Sequence, residues 1–203
     1  MKPSLYLALA SAAAIGLLGG TYFASRKGDM TCDASVVAGG ADAIGGPFQL
    51  VDETGAAVTD RDVITAPSLV YFGYTYCPDV CPTDVARNVE AISLLEEAGK
   101  IVTPVFISVD PKRDTPEVLA EWTDYLHPRL IGLTGTEAQI LAAAKAYKTY
   151  FKVPENAGED YLVDHMTHSY LMFPKVGFID FFTREMTAEQ IAERTACYID
   201  AAS

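Results

Sequence analysis

Two cysteines, Cys77 and Cys81, lie four positions apart in the stretch YFGYTYCPDVCPTD, residues 71–84, and each is followed by a proline. A thiol pair of this kind can close a structural disulfide, exchange disulfides with a partner, or hold a metal ion. The loop between them is so short that a structural bridge would remove little entropy from the unfolded chain. The pair stands between an apolar, strand-forming run and a helical pattern. A helix N-terminus presents unpaired N–H groups and partial positive charge, which favour a thiolate over a thiol. Reactive or metal-binding cysteines are therefore expected. Pro82 suits the start of that helix, where its missing N–H has no intrahelical partner to lose.

Two thiolates alone give a low coordination number, so a third donor would secure an ion. The chain has three histidines, His127, His165 and His168. His127, in YLHPRL, falls at a helix end before a proline and reads as a surface or C-capping residue. His165 and His168 lie in VDHMTHSY between two apolar stretches, and either can be brought to the cysteines. Two sulfurs and one imidazole make a soft, roughly trigonal set, which selects Cu(I). Zinc normally closes its structural sites with four ligands, and no fourth donor is evident. Copper is the expected metal, as Cu(I), with Cu(II) left open. No catalytic residues are expected beyond Cys77 and Cys81 acting as a redox pair.

These residues need a scaffold. APSLVYFGY holds a continuous apolar run of strand formers, as suits a central strand buried on both faces. A helix capped by Thr83 or Asp84 is expected to run to about Ala98, with Val85, Val89, Ile92 and Leu95 at helical spacing and Gly99 as its stop. VTPVFISVD reads as a second buried strand. Thr115 and Pro116 open another helix, and Thr136 one more in TEAQILAAAKAYKTY. YLVDHMTHSYLMF reads as a strand approach, a histidine loop and a strand, with GFIDFF pairing back as a hairpin. A capping box from Thr187 to Gln190 starts the last helix. Earlier, PFQLVDETG and a short strand near Ala57 open the domain. Strands alternating with helices, followed by a hairpin and a helix, predict an α/β domain. With the cysteine pair between a central strand and a helix, this is the thioredoxin-like fold, a mixed central sheet flanked by helices.

The chain has 203 residues, half of them hydrophobic, and a net charge of −12. That balance argues against a nucleic-acid partner, which needs clustered Lys and Arg to neutralise phosphates. Leu5 to Ala24 is a run of 20 uncharged residues, enough to cross a bilayer core of about 30 Å as a helix. A cleavable signal peptide is the rival reading, but its apolar run is usually roughly 7–15 residues and its small-residue site follows that run. Here ALASA lies within it. The expected organisation is one N-terminal transmembrane helix as membrane anchor over 1–25, a glycine-rich flexible tether over 26–46, and the thioredoxin-like, copper-binding domain over 47–203. The segment is not Arg-rich and amphipathic, unlike a mitochondrial presequence, so the bacterial inner membrane is expected. Lys2 before the run and Arg26–Lys27 after it mildly favour a cytosolic domain. The thiol and copper chemistry favours a periplasmic one, and we adopt that orientation.

Three segments, YFGYTYCPDVCPTD, FISVDPKRDTPEVL and YLVDHMTHSYLMF, resemble in order the signature segments of the Sco/SenC family of copper chaperones. The resemblance runs over about residues 43–200, behind an anchor and tether such as that family has. It implies copper binding by Cys77, Cys81 and His165, the last matching the histidine of the family's VDH segment; His168 is not required by the match. It further implies a role in cytochrome c oxidase assembly, at the dinuclear CuA site of subunit II. That role is either delivery of copper or, alternatively, thiol–disulfide reduction of the CuA cysteines. Other periplasmic copper chaperones or thiol reductants are implied as further partners.

Cys32 and Cys197 fall outside this constellation. In an oxidising compartment they can pair with each other, pair between molecules or stay free. Asp79 and Asp164 stand beside expected ligands and can tune them, or can serve only as loop and capping residues. A peroxiredoxin-like reading of VCPTD fails. It calls for Thr or Ser three residues before the cysteine and Pro four before that. Cys81 has Pro78 and Tyr74 there, and Cys77 has Tyr74 and Val70.

Overall fold

The computed structural model describes Cys32 and residues 43–155, 158 and 160–202. The expected anchor, and most of the expected tether, lie outside them. Among the described residues no helix is long and apolar enough to cross a membrane.

The elements follow in the order β1 (Gln49–Asp52), β2 (Ala57–Thr59), α1 (Asp60–Val63), β3 (Ser68–Gly73), α2 (Val80–Glu97), β4 (Thr103–Ser108), α3 (Pro116–Leu126), β5 (Ile131–Thr134), α4 (Glu137–Ala146), β6 (Phe151–Lys152), β7 (Asp164–His165), β8 (Ser169–Phe173), β9 (Gly177–Phe182) and α5 (Ala188–Ala201). Seven strands form one sheet in the order β2-β1-β5-β4-β3-β8-β9, and β6 pairs with β7 alone. Pairs β3–β4 and β4–β5 are parallel, whereas β1–β2, β1–β5, β3–β8 and β8–β9 are antiparallel. The sheet is therefore mixed, as expected.

Strand β3 lies between β4 and β8 and is buried at every position. Its uninterrupted SLVYFG run is what a strand covered on both faces requires. Successive side chains point to opposite faces. Tyr71 meets Asp84 of α2, while Phe72 packs against Tyr147 at the end of α4. Helices α2 and α5 share an apolar cluster over one face, built around Leu69, Ile92, Leu171, Phe182 and Ile191. Helix α3 joins the sheet through Trp122, 4.5 Å from the Phe106 ring.

The helix starts follow local chemistry. Thr115 accepts from the Val118 amide, and capping boxes close at Thr136/Gln139 and Thr187/Gln190. Helix α2 differs from the sequence reading. It begins at Val80, ahead of the expected Thr83 or Asp84 cap, and the Asp79 side chain makes no capping bond. The Cys81 N–H instead donates to the Cys77 sulfur at 3.3 Å. A sulfur takes the place of the usual cap oxygen, and cap preferences drawn up for Ser, Thr, Asn and Asp miss it. His127 is the C-cap of α3, as its position before Pro128 suggests.

Cys32 and Cys197 form a disulfide with a Cα–Cα distance of 5.9 Å. Of the alternatives open to these two cysteines, the intramolecular bridge is the one found. It ties residue 32 to α5.

Candidate metal centre

The end of β3 and the first turn of α2 bring both sulfurs to one point. Cys77 is 8% exposed and Cys81 fully buried, and both are free thiols. Gly73, the last residue of β3, makes room for them. A Cβ there would lie 2.9 Å from the Cys81 sulfur, and as close to the Phe106 and Tyr71 rings. Such a distance is below any ordinary contact, so only glycine lets the strand pass so near the sulfur.

The third donor arrives from a distant segment. His165 ends β7, where it pairs with Phe151 of β6. Its Nε2 lies 3.2 Å from the Cys81 sulfur, and its Nδ1 lies 2.9 Å from the Met166 carbonyl oxygen. A carbonyl can only accept, so Nδ1 carries the proton and Nε2 keeps a lone pair directed at the sulfurs. Cys77, Cys81 and His165 each offer one donor atom, all within 4.8 Å of one another. Two sulfurs and one imidazole nitrogen at this spacing suit a soft, low-coordinate ion.

The rings of Tyr71 and Tyr74 stand edge-on to His165, at 6.2 and 5.7 Å between centroids. They pack against the imidazole from two sides, the strand and the cysteine loop, and His165 is left half-buried. His168 takes no part in the cluster. Its ring packs against Phe181 at 5.0 Å.

The sulfurs are electrostatically unequal. Burial pushes the Cys77 thiol up, but amide N–H groups of Cys81, Asp79 and Val80 at the helix start together hold it below the ordinary thiol range. Burial dominates at Cys81 and raises its thiol far above that range. Burial also lowers His165, favouring the neutral imidazole that a metal needs. Asp79 and Asp164 have exposed side chains. The buried carboxylate beside the pair is Asp84, which accepts from the Tyr71 hydroxyl at 3.0 Å and faces Arg87 at 3.5 Å.

A second network steadies the approach to Cys77. Asp114 accepts from the Thr75 amide at 3.0 Å, the Thr75 hydroxyl at 2.6 Å and the Ser108 hydroxyl at 2.5 Å. Arg113 binds Asp110 at 2.5 Å and lies 3.6 Å over the Tyr161 ring and 4.7 Å from the Tyr76 ring. The SVDPKRDTP segment thus clamps the residues immediately before Cys77. The sequence marks this segment as a signature, but pattern reading did not assign its Ser and Asp side chains to the cysteine loop.

A thioredoxin-like domain with two buried thiols and a histidine at the end of its central strand is the class that fold and site define. The chain belongs to the SCO1/SenC family, whose pattern it matches over residues 37–200. SenC of Rhodobacter capsulatus is 56% identical over 180 residues, covering 89% of this chain and 78% of that protein. The crystal structure of Arabidopsis thaliana ScoI with copper bound superposes with a TM-score of 0.73 at 38% identity, over 78% of this chain and 99% of that one. Bradyrhizobium japonicum ScoI with copper bound gives 0.67 at 42% identity, over 77% and 99%.

Proposed function

We propose that this protein is a copper chaperone in which Cys77, Cys81 and His165 hold Cu(I). The observation that carries the reading is the convergence of two thiol sulfurs and a lone-pair-bearing Nε2 within 4.8 Å. The copper-bound relatives add support, since they share the fold at 38% and 42% identity. Cu(I) enters as cargo. The Cys77 thiol, already inclined to ionise, is the first ligand to form. Cys81, whose buried thiol holds its proton more tightly, loses it to solvent as its sulfur bonds to the metal. Release proceeds by exchange, a partner's thiolates replacing these ligands one at a time. Oxidation of the pair to a disulfide removes both sulfur ligands, so redox state gates binding.

The partner that fits the family role is the CuA domain of cytochrome c oxidase subunit II. The uncharged run over residues 5–24 serves as an inner-membrane anchor, with the domain in the periplasm. The Cys32–Cys197 disulfide supports that side of the membrane, because such bonds persist in oxidising compartments. The net charge of −12 disfavours nucleic acid.

A second reading, thiol–disulfide reduction of the partner's cysteines, is favoured by the inequality of the two sulfurs. The Cys77 thiolate would attack a partner disulfide and form a mixed disulfide. The Cys81 thiolate would then attack the Cys77 sulfur, releasing the partner's two thiols and leaving Cys77–Cys81 oxidised. That route has no need of His165.

Metal analysis of the reduced domain beside Cys77→Ser, Cys81→Ser and His165→Ala variants tests the choice. Stoichiometric copper in the wild type, lost in all three, is the expected result. An unchanged Cu(I) affinity in His165→Ala would remove His165 from the site, whereas a reduced wild type that retains no copper would leave the reductase reading.

A further inference from the structure

A cavity of about 680 Å³ lies at the end of the sheet away from the sulfurs, a size usual for a small-molecule site. Met172, which lines it, pairs with Ser68 at the start of β3. Gly73, which lies against the Cys81 sulfur, ends that strand. At about 3.3 Å per residue the two ends stand roughly 16 Å apart. The cavity walls are mainly apolar, with Pro47, Ile64, Met172 and Phe173 among them. Arg61, Lys175 and Asp60 belong to the same lining. Arg61 and Lys175 are exposed, and among the described residues neither joins an ion pair. Two cations against one carboxylate leave the lining positive, on a chain whose net charge is −12. Tyr147, at the end of α4, also lines the cavity and is fully buried. Its ring packs against Phe72 and Tyr170, and its hydroxyl has no hydrogen-bond partner. Buried hydroxyls are normally paired. A phenol keeps its proton at neutral pH, so Tyr147 is a donor without an acceptor.

We propose that this cavity is a binding site for an amphipathic carboxylate, an apolar chain ending in one anionic head. The chain covers the apolar walls, whose burial supplies the non-directional part of the affinity. The head supplies what the lining lacks, an acceptor for the Tyr147 hydroxyl and a negative charge for Arg61 and Lys175. Asp60 opposes an anion, and the two cations outweigh it. An uncharged chain would leave both cations without a counter-charge, and a cationic one would be repelled by them. The inference stands apart from the copper reading, because none of Cys77, Cys81 and His165 lines the cavity.

The chain from Cys32 on forms a compact unit by itself and is titrated calorimetrically with decanoate. Decan-1-ol and decyltrimethylammonium serve as uncharged and cationic comparators. Decanoate should bind at one equivalent and more tightly than either comparator, and the amide shifts it causes should centre on Gly46 and Gly177 of the lining. Two variants separate binding from packing. Tyr147→Phe removes the hydroxyl and keeps the ring against Phe72 and Tyr170. No protein hydrogen bond is lost, so its urea midpoint should equal or exceed that of wild type. Decanoate affinity should nevertheless fall roughly tenfold, the loss of one hydrogen bond to a charged group. Lys175 holds a left-handed φ of +64°, which asparagine adopts more readily. Lys175→Asn should therefore also keep its stability, yet bind roughly two- to fivefold more weakly, as for an exposed charge pair. Absence of decanoate binding at millimolar concentration would overturn the proposal. So would binding no tighter than that of a comparator, amide shifts centred outside the cavity, or an affinity that both variants leave unchanged. Affinity lost only in step with lost stability would reduce Tyr147 and Lys175 to packing and overturn it equally.

Discussion

The imidazole Nε2 of His165 lies 3.2 Å from the sulfur of Cys81 across 84 positions of chain. That contact converts a pair of thiols into a three-donor set, and it depends on the neutral imidazole. Burial depresses His165, His168 and His127 below the ordinary histidine range. Each histidine thus takes up its proton more readily in the unfolded chain than in the folded one. Stability contributed by the neutral rings is complete well above pH 6.5 and falls as pH drops through that value. Urea midpoints recorded from about pH 8 to pH 5 should show this decline, shallower in His165→Ala. Cu(I) retention should hold through neutrality and fail only in acid.

Gly73 should tolerate no side chain. An alanine Cβ would stand 2.9 Å from the Cys81 sulfur and two buried rings. Gly73→Ala should cost about 1–3 kcal/mol by overpacking and should also weaken copper binding, because the sulfur must move. Calorimetric unfolding with a parallel Cu(I) titration checks both outcomes.

Asp114 holds the cysteine loop through three donors. Asp114→Ala would strand the half-buried Thr75 amide and the buried Ser108 hydroxyl, at a cost of about 1–3 kcal/mol for each group left unpaired. Cu(I) affinity should fall as well, since the approach to Cys77 loses its tie. Copper binding that stays at wild-type strength in a destabilised Asp114→Ala would confine the residue to a purely structural role.

The Cys32–Cys197 bridge closes a separation of 165 residues. Replacing both cysteines with serine should lower stability by about 2–5 kcal/mol and leave copper stoichiometry untouched, because neither sulfur belongs to the donor set. Denaturant unfolding and metal analysis of the double variant are the readouts.

Cys77 should react with iodoacetamide much faster than Cys81, by reason of its greater exposure and the helix-start amides directed at its sulfur. Peptide mapping after brief alkylation of the metal-free, reduced protein distinguishes the two.

Much of the scaffold is legible along the chain because its signals are local. The apolar run from Ser68 to Gly73 reads as a buried strand without knowledge of its neighbours. Thr115, Thr136 and Thr187 mark helix starts through bonds that span three residues. The start of α2 escaped because its cap is a sulfur four residues before the amide it serves, outside the usual oxygen-bearing set. Strands β6 and β7, two residues each, carry too little pattern to register.

Residue chemistry alone determined that Cys77 and Cys81 stand at the mouth of a helix, that a soft ion suits them, and that a histidine from the VDHMTH segment was needed. Resemblance of the segment, and no local pattern, singled out His165 over His168. Only the tertiary structure decided the geometry. The β6–β7 pairing turns His165 inward and leaves His168 against Phe181, and the pleat of β3 sets Tyr71 toward Asp84 and the sulfurs. It also placed Asp84 behind the site, with Asp79 and Asp164 at the surface. Spacing along a chain specifies which groups can share a face, but contacts between segments 80 residues apart depend on strand register and burial, which the folded sheet alone supplies.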